Sequence, residues 1–263
     1  MSLSTLIAPQ IPFLRRYARA LRGQQEAGDA FVVATLEALL AEPQDFPHDL
    51  GPRVGLYKVF HRIWASTHSD SYEPAASEPG GEASAPRRLG RLTPRSRQAL
   101  LLTALEGFTV EEAATILDSS EDEINGLIAD AIVEIERQDR TKVLIIEDEP
   151  IISADLEMIV KGLQHDVIGV ARTRTEAVDA ARRERPGLVL ADIQLADGSS
   201  GIDAVTDILS SFDVPVIFIT AFPERLLTGE RPEPSFLITK PYQDDTVKAA
   251  IGQALFFRER VAG

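Results

Sequence analysis

The chain is 263 residues long, 44% hydrophobic and 26% charged, which is the composition of a soluble globular protein of about two domains. Its net charge of −14, from 27 basic and 41 acidic residues, argues against autonomous binding to nucleic acid or to an anionic membrane. The absence of cysteine excludes disulfides, zinc–thiolate centres and thiol catalysis. Both halves are acidic, so the charge fits a basic partner. No apolar run approaches membrane-spanning length, and the N-terminal MSLSTLIAPQIPFLRRYARAL lacks a basic region followed by an apolar core. A cytoplasmic protein is expected.

In chain order, residues 11–68 carry apolar positions at helical spacing. DAFVVATLEALLAE (29–42) sets Phe31, Thr35, Leu36 and Leu39 along one stripe, with Gly28 before it and Pro43 after. GPRVGLYKVFHRIWAS (51–66) predicts a second helix with Leu56, Val59, Phe60, Ile63 and Trp64 facing inward, as core rather than chemistry. SDSYEPAASEPGGEASAP (69–86) is too poor in apolar residues to order itself and reads as a flexible linker. Beyond it Thr93 is an N-cap with Pro94 at the first helical position, Gly107 ends that helix, and Thr109 caps a short one through Ala113, Ala114 and Leu117. Ser120 then caps a third helix, with Glu123 completing a capping box. The expected domains are 1–68 (helical), 69–90 (linker), 91–138 (a helix-turn-helix) and 141–260.

The helix that would read DNA, SSEDEINGLIADA (119–131), carries Glu121, Asp122, Glu123 and Asp130 and no basic residue. DNA presents roughly one negative charge per 1.7 Å of axis and would repel it.

From Thr141 onward the pattern changes to alternating strands and helices. KVLIIE (142–147), HDVIGVA (165–171), GLVLAD (187–192), VPVIFIT (214–220) and SFLIT (235–239) are short apolar runs, and segments 150–163, 174–184, 201–212 and 243–258 are helical. This order predicts a five-stranded parallel sheet covered on both faces, with ligand chemistry at the carboxyl ends of the strands. Four of those ends are polar: Glu147-Asp148, Asp192, Thr220, and Lys240 followed by Pro241. Three carboxylates crowded together call for a hard divalent cation, and magnesium suits the set. The chemistry that needs all of these groups is phosphoryl transfer to a carboxylate. Asp192 would be the nucleophile, Lys240 would pair with it or with the phosphoryl oxygens, and Thr220 would donate a hydrogen bond. Reading Asp148 and Asp192 as mere helix caps leaves Thr220 and Lys240-Pro241 unexplained.

With IED, LADIQLADGSSG, IFITAF and ITKPY, residues 141–258 resemble a two-component receiver domain. The resemblance implies a flavodoxin-like α/β fold, Asp192 as phosphoacceptor, and magnesium held by Glu147, Asp148, Asp192 and the backbone of Gln194. It also implies a sensor histidine kinase or other phosphodonor. Two positions depart from the pattern. Leu237 stands where strand five usually has Tyr or Phe, so backbone movement is the expected carrier of the switch, and Glu147 replaces the commoner Asp. Residues 10–137 resemble regions two and four of extracytoplasmic-function sigma factors, through DAFVVATLEALL and, more closely, LTPRSRQALLLTALEGFTVEEAATILDSSEDEI. A sigma-like module ahead of a receiver resembles PhyR-type regulators of the general stress response. It implies a phosphorylation-activated anti-anti-sigma factor that captures an anti-sigma factor of NepR type by mimicry, with no direct DNA binding. The acidic helix then suits a basic protein partner.

The alternative is a DNA-binding response regulator, which the pattern supports and the charge opposes. An aspartyl-phosphate hydrolase lacks a visible substrate domain or catalytic base, so no enzyme is expected. His48, His61, His68 and His165 lack metal-ligand spacing and read as surface or capping residues. Asp197-Gly198-Ser199-Ser200-Gly201 has no P-loop lysine and reads as a turn into the next helix. Arg15, Arg16, Arg19 and Arg22 read as a solvated helix face, with an internal contact to the acidic receiver as the other option.

Overall fold

The computed structural model describes residues 3–69, 94–195, 197–223, 226 and 234–262, which cluster into two units, Met1–Ile128 and Ala129–Gly263. The expected linker (69–90), apart from Ser69, and the Thr93 cap lie outside the described residues. In the first unit, α1 (Leu3–Ile7) and one 3-10 turn lead into α2 (Ile11–Arg22). Gly23 ends α2 in the left-handed region at φ 68°. The next helix, α3 (Gln25–Ala41), contains Gly28 rather than starting after it. A Cβ at Gly28 would lie 2.7 Å from the Arg19 Cα, so glycine is needed where α2 and α3 meet rather than as a helix boundary. Leu39 and Thr35 are buried on α3, and Leu56, Val59, Phe60 and Trp64 are buried on α4 (Pro52–Ser69). Ring centroids 4.7 Å apart join Phe31 to Trp64, which confirms these aromatics as core.

The arginines of α2 are not a solvated face. Arg19 is fully buried, and its Nε and Nη2 each donate to Asp29 at 2.8 Å, while Arg15 donates to the same carboxylate at 3.2 Å. Burial pushes the Asp29 carboxyl up, but the hydrogen bonds from Arg19 and Arg15 outweigh it and hold the carboxyl below its ordinary range. Arg16 is buried against Glu106, and Arg22 lies over the Phe31 ring, 5.7 Å from its centroid.

Two of the histidines are also core residues. His165 is buried in the second unit, and His61 is buried in the first with its Nε2 2.8 Å from the Tyr17 hydroxyl. His48 opens a 3-10 turn, and the side chain of His68 is outside the described residues. Burial, with a smaller contribution from nearby Arg95, holds the His61 ring at a pKa of about 3 against an ordinary 6.5. The unfolded chain therefore takes up a proton below pH 6.5 that the folded unit refuses until about pH 3. Stability is complete above pH 6.5 and falls as pH drops through that window. The first unit should lose about 1 kcal/mol between pH 7 and pH 5.5. Urea unfolding read by Trp64, the single tryptophan, would check this. His61→Gln should flatten the dependence, and an equally steep slope in that variant would refute the assignment.

α5 (Arg95–Leu100) starts with Pro94 at its N-cap, one residue earlier in its role than expected, and runs into a π-helical turn at Leu101–Leu105. Gly107, at φ 69°, ends that run. α6 (Val110–Leu117) opens with a full capping box between Thr109 and Glu112. α7 (Glu121–Glu136) follows, with Ser120 Oγ accepting the Glu123 N–H at 3.2 Å. Glu121, Asp122, Glu123 and Asp130 are all exposed on it.

The second unit takes in the last turns of α7. A Cβ at Gly252 would stand 2.4 Å from Ile135, and Gln138 Nε2 donates to the Gly252 carbonyl at 2.8 Å. Its sheet is β1 (Lys142–Ile146), β2 (Asp166–Ala171), β3 (Leu188–Ala191), β4 (Val216–Thr220) and β5 (Phe236–Thr239), all parallel, in the order β2-β1-β3-β4-β5. α8 (Pro150–Gly162), α9 (Arg174–Glu184), α10 (Gly201–Ser211) and α11 (Asp244–Ala262) cover it. Leu144, Ile146, Val189, Phe218 and Leu237 lie in one buried cluster. Strands with both faces covered have no solvent side, which is why they read as unbroken apolar runs. The order reverses between β1 and β3, and this topology gathers ligand sites outside the carboxyl ends at that point. No described helix is long and apolar enough to cross a membrane.

Candidate phosphoacceptor site

Glu147, Asp192 and Lys240 each stand one residue past the end of β1, β3 and β5. The Glu147 N–H donates to Ala171 O of β2 at 2.9 Å, and the Asp192 N–H donates to Ile146 O of β1 at 2.8 Å. The Lys240 N–H donates to Thr220 O of β4 at 2.8 Å. Each polar residue is thus still tied to a neighbouring strand, so rigid backbone positions its side chain at the rim.

There the side chains converge. Lys240 Nζ lies 2.7 Å from Glu147 Oε2 and 2.6 Å from Asp192 Oδ2, with side-chain exposures of 11%, 1% and 9% for the three residues. Asp192 Oδ1 also accepts from the N–H of Ile193 at 2.5 Å and of Gln194 at 3.4 Å. Glu147 Oε1 accepts from the Glu149 N–H at 3.2 Å. Burial alone would lower the Lys240 pKa, but hydrogen bonds to Asp192 and Glu147 outweigh it and hold the ammonium above its ordinary range. Burial pushes the Glu147 carboxyl up, an effect Lys240 opposes. Asp148, half-buried, completes a group of three carboxylates whose ligand atoms lie within 4.8 Å of one another. Three carboxylates face one ammonium, and the donors are hard oxygens, which is the chemistry of a magnesium-type site.

Thr220 is fully buried at the end of β4, and its Oγ1 accepts the Phe222 N–H at 3.2 Å, which leaves its own hydroxyl hydrogen to donate. Gln194 sits two residues past Asp192 and is paired across the loop with Ser200. The Lys240–Pro241 peptide is cis. Leu237, the residue in place of an aromatic, is buried opposite Phe218.

One contributor escaped the reading of the sequence. Gly201 opens α10 against the Asp192 backbone, where a Cβ would fall 1.7 Å from the Asp192 carbonyl oxygen. The turn before it is as expected: Gly198 has φ 76°, and Ser200 caps α10 by accepting the Ile202 N–H. Its sequence signal was a glycine directly after a helix-capping serine, which also reads as ordinary turn chemistry.

Three family models match the chain: the Sigma2 domain of PhyR at residues 7–61, the sigma-like domain of the response regulator PhyR at 89–138, and the response regulator receiver domain at 143–252. The phyllosphere-induced regulator PhyR of Methylorubrum extorquens is 54% identical over 260 residues, 98% of this chain and 96% of that protein. The crystal structure of anti-anti-sigma factor PhyR from Bartonella quintana matches with a TM-score of 0.86 at 50% identity, covering 99% of this chain and 98% of that one. A Bartonella quintana PhyR has also been co-crystallised with the anti-sigma factor NepR; that chain is 51% identical over 98% of this one and all of its own length, with a TM-score of 0.43.

Proposed function

Because the chain belongs to the PhyR family of response regulators, we propose that it is a phosphorylation-activated anti-anti-sigma factor. Its helical unit sequesters an anti-sigma factor of NepR type by imitating a sigma factor, which frees the true sigma factor for general stress transcription. We place it in the cytoplasm, where a sensor kinase or another phosphodonor supplies the phosphoryl group. The observation that carries the mimic reading is the exposed acidity of α7: the second helix of a helix-turn-helix presents Glu121, Asp122, Glu123 and Asp130 where DNA would have to approach. It keeps a sigma-like pattern for a partner that is not DNA.

At the receiver rim, an Asp192 oxygen attacks the phosphorus of the donor, an O–P bond forms, and the donor's bond to phosphorus breaks. Lys240 and the two backbone N–H groups hold the Asp192 side chain in place for that step. Glu147, Asp148, Asp192 and the Gln194 carbonyl would hold magnesium, which neutralises charge on the incoming phosphoryl group. The phosphorylated residue brings nearly two negative charges, and the Lys240 ammonium and the Thr220 hydroxyl are the donors placed on the same rim to meet them. The aspartyl-phosphate is a signal, not an intermediate of turnover.

Calorimetric titration of the full chain with a NepR-type anti-sigma factor tests the proposal. Tight binding is expected only after treatment with a small phosphodonor, with at least ~100-fold weaker binding before it. Equal affinity in both states would remove the switch. A specific, salt-sensitive gel shift with promoter DNA would instead restore the DNA-binding reading.

A further inference from the structure

The segment ITKPY brings Lys240 to the rim and leaves its last residue, Tyr242, without a role there. Tyr242 is half-buried, and its hydroxyl oxygen is shut off from water yet closes no hydrogen bond of proper geometry. Asp155 of α8, also half-buried, is the acceptor it faces, and Glu147 and Asp244 are the other carboxylates around it. Burial first, then these carboxylates, hold the phenol far above its ordinary ionisation range, so the oxygen keeps its proton and is a standing donor. A tyrosine that served packing alone would turn its hydroxyl to water. Phenylalanine would supply the same ring without the cost of a dry, unpartnered hydroxyl.

Both members of this pair lead straight to the rim. Tyr242 stands two residues after Lys240, whose N–H donates to Thr220 O at 2.8 Å and whose Nζ holds Glu147 and Asp192. Asp155 lies in the second turn of α8, and only residues 147–149 separate that helix from β1. Three residues leave little slack, so a shift of α8 carries Asp148 with it. The link is stiffened by the Glu149 N–H, which donates to Glu147 Oε1 at 3.2 Å, and by the Ser153 N–H, which donates to Glu149 O at 2.9 Å. α11, which begins two residues after Tyr242, packs on the same helix. A bond from Tyr242 to Asp155 closes a ring that runs from Lys240 through Tyr242 and α8 to Asp148 and Glu147, and back to Lys240. That ring sets the spacing of the carboxylates, on which a hard-cation site depends.

We propose that Tyr242 is a positioning residue for the divalent-cation site, its hydroxyl closing on Asp155 when residues 147–149 are drawn around the cation. The proposal rests on the magnesium reading of the rim given above. Magnesium titration of the full chain, followed through the backbone amide signals of Glu149, Ile193 and Gln194, tests it. Tyr242→Phe should weaken magnesium binding about tenfold. The same variant should leave the urea midpoint of the magnesium-free protein unchanged or slightly higher, because it removes a buried group that has no partner. Asp155→Asn keeps an acceptor oxygen and removes a charge, and should bind magnesium within about threefold of the unaltered chain. Asp155→Leu should lose as much as Tyr242→Phe, and the two together no more than either alone.

Unchanged magnesium affinity in Tyr242→Phe overturns the proposal. So does a loss in Asp155→Asn as large as in Asp155→Leu, which would make Asp155 a point charge rather than an acceptor, and so do losses that multiply in the double variant. If the unaltered chain does not respond to magnesium, the cation reading of the rim falls and this proposal with it. A failure confined to Tyr242→Phe leaves that reading intact.

Discussion

Replacing Asp192 with alanine should abolish covalent labelling by a small acyl phosphate, and withholding magnesium should slow labelling of the unaltered chain at least ~100-fold. The expectation follows from the rim's geometry. Asp192 shares Lys240 with Glu147, at 2.6 and 2.7 Å, and belongs to the group of three carboxylates within 4.8 Å. Glu147 shares the same ammonium but its side chain is 1% exposed against 9% for Asp192, so Asp192 is the carboxylate more open to a donor. An incoming phosphoryl group adds further negative charge to a region that already has more carboxylates than cations, which is the origin of the metal requirement. Mass measurement of the intact chain reads the modification directly. Aspartyl-phosphate in the Asp192→Ala protein, or labelling at full rate without a divalent cation, would overturn the assignment.

How much of this was legible in the sequence depended on whether a signal was local. VLII, LVLA and VIFIT are continuous apolar runs because their sheet is covered on both faces, and a polar residue at the end of such a run marks the rim. Glu147, Asp148, Asp192, Thr220 and Lys240 could therefore be found by counting along strands. The helix caps at Thr109 and Ser120 were equally local. What failed to show depended on partners distant in the chain. Arginines at 15, 16, 19 and 22 follow helical spacing whether they face water or an anion, and Glu106 lies 90 residues from Arg16. Gly28 and Gly201 are small because another backbone passes close by, whereas in sequence each reads as a boundary or a turn. His61 looked like a surface residue because its partner, Tyr17, belongs to another helix. The π-turn before Glu106 has no residue signature at all, since Leu-Leu-Thr-Ala-Leu suits an ordinary helix.

Gly201→Ala should be the most damaging single methyl group that can be added near the site. The Cβ would fall 1.7 Å from the Asp192 carbonyl oxygen, 2.9 Å from its carbonyl carbon and 3.4 Å from the Ile193 Cα. All three are backbone atoms, so no side chain can swing aside. Gly201 is helical, so the conflict is one of space and not of conformation. Either α10 retreats, which breaks the 2.8 Å hydrogen bond from the Gly201 N–H to Ile193 O, or the Asp192 loop moves. Moving the loop disturbs the Ile193 and Gln194 N–H groups that hold Asp192 Oδ1, together with the Gln194–Ser200 pairing. Overpacking against backbone should lower the stability of the second unit by ~3 kcal/mol. Misplacing the nucleophile by about 1 Å should slow phosphorylation on the order of 100-fold. Gly198→Ala separates the two causes. That residue has φ 76° and nothing within 4 Å of its Cβ position, so alanine there should cost about 1 kcal/mol of backbone strain and leave the labelling rate within about twofold. If Gly201→Ala behaves like Gly198→Ala in both measurements, the Asp192 loop is not braced by the start of α10.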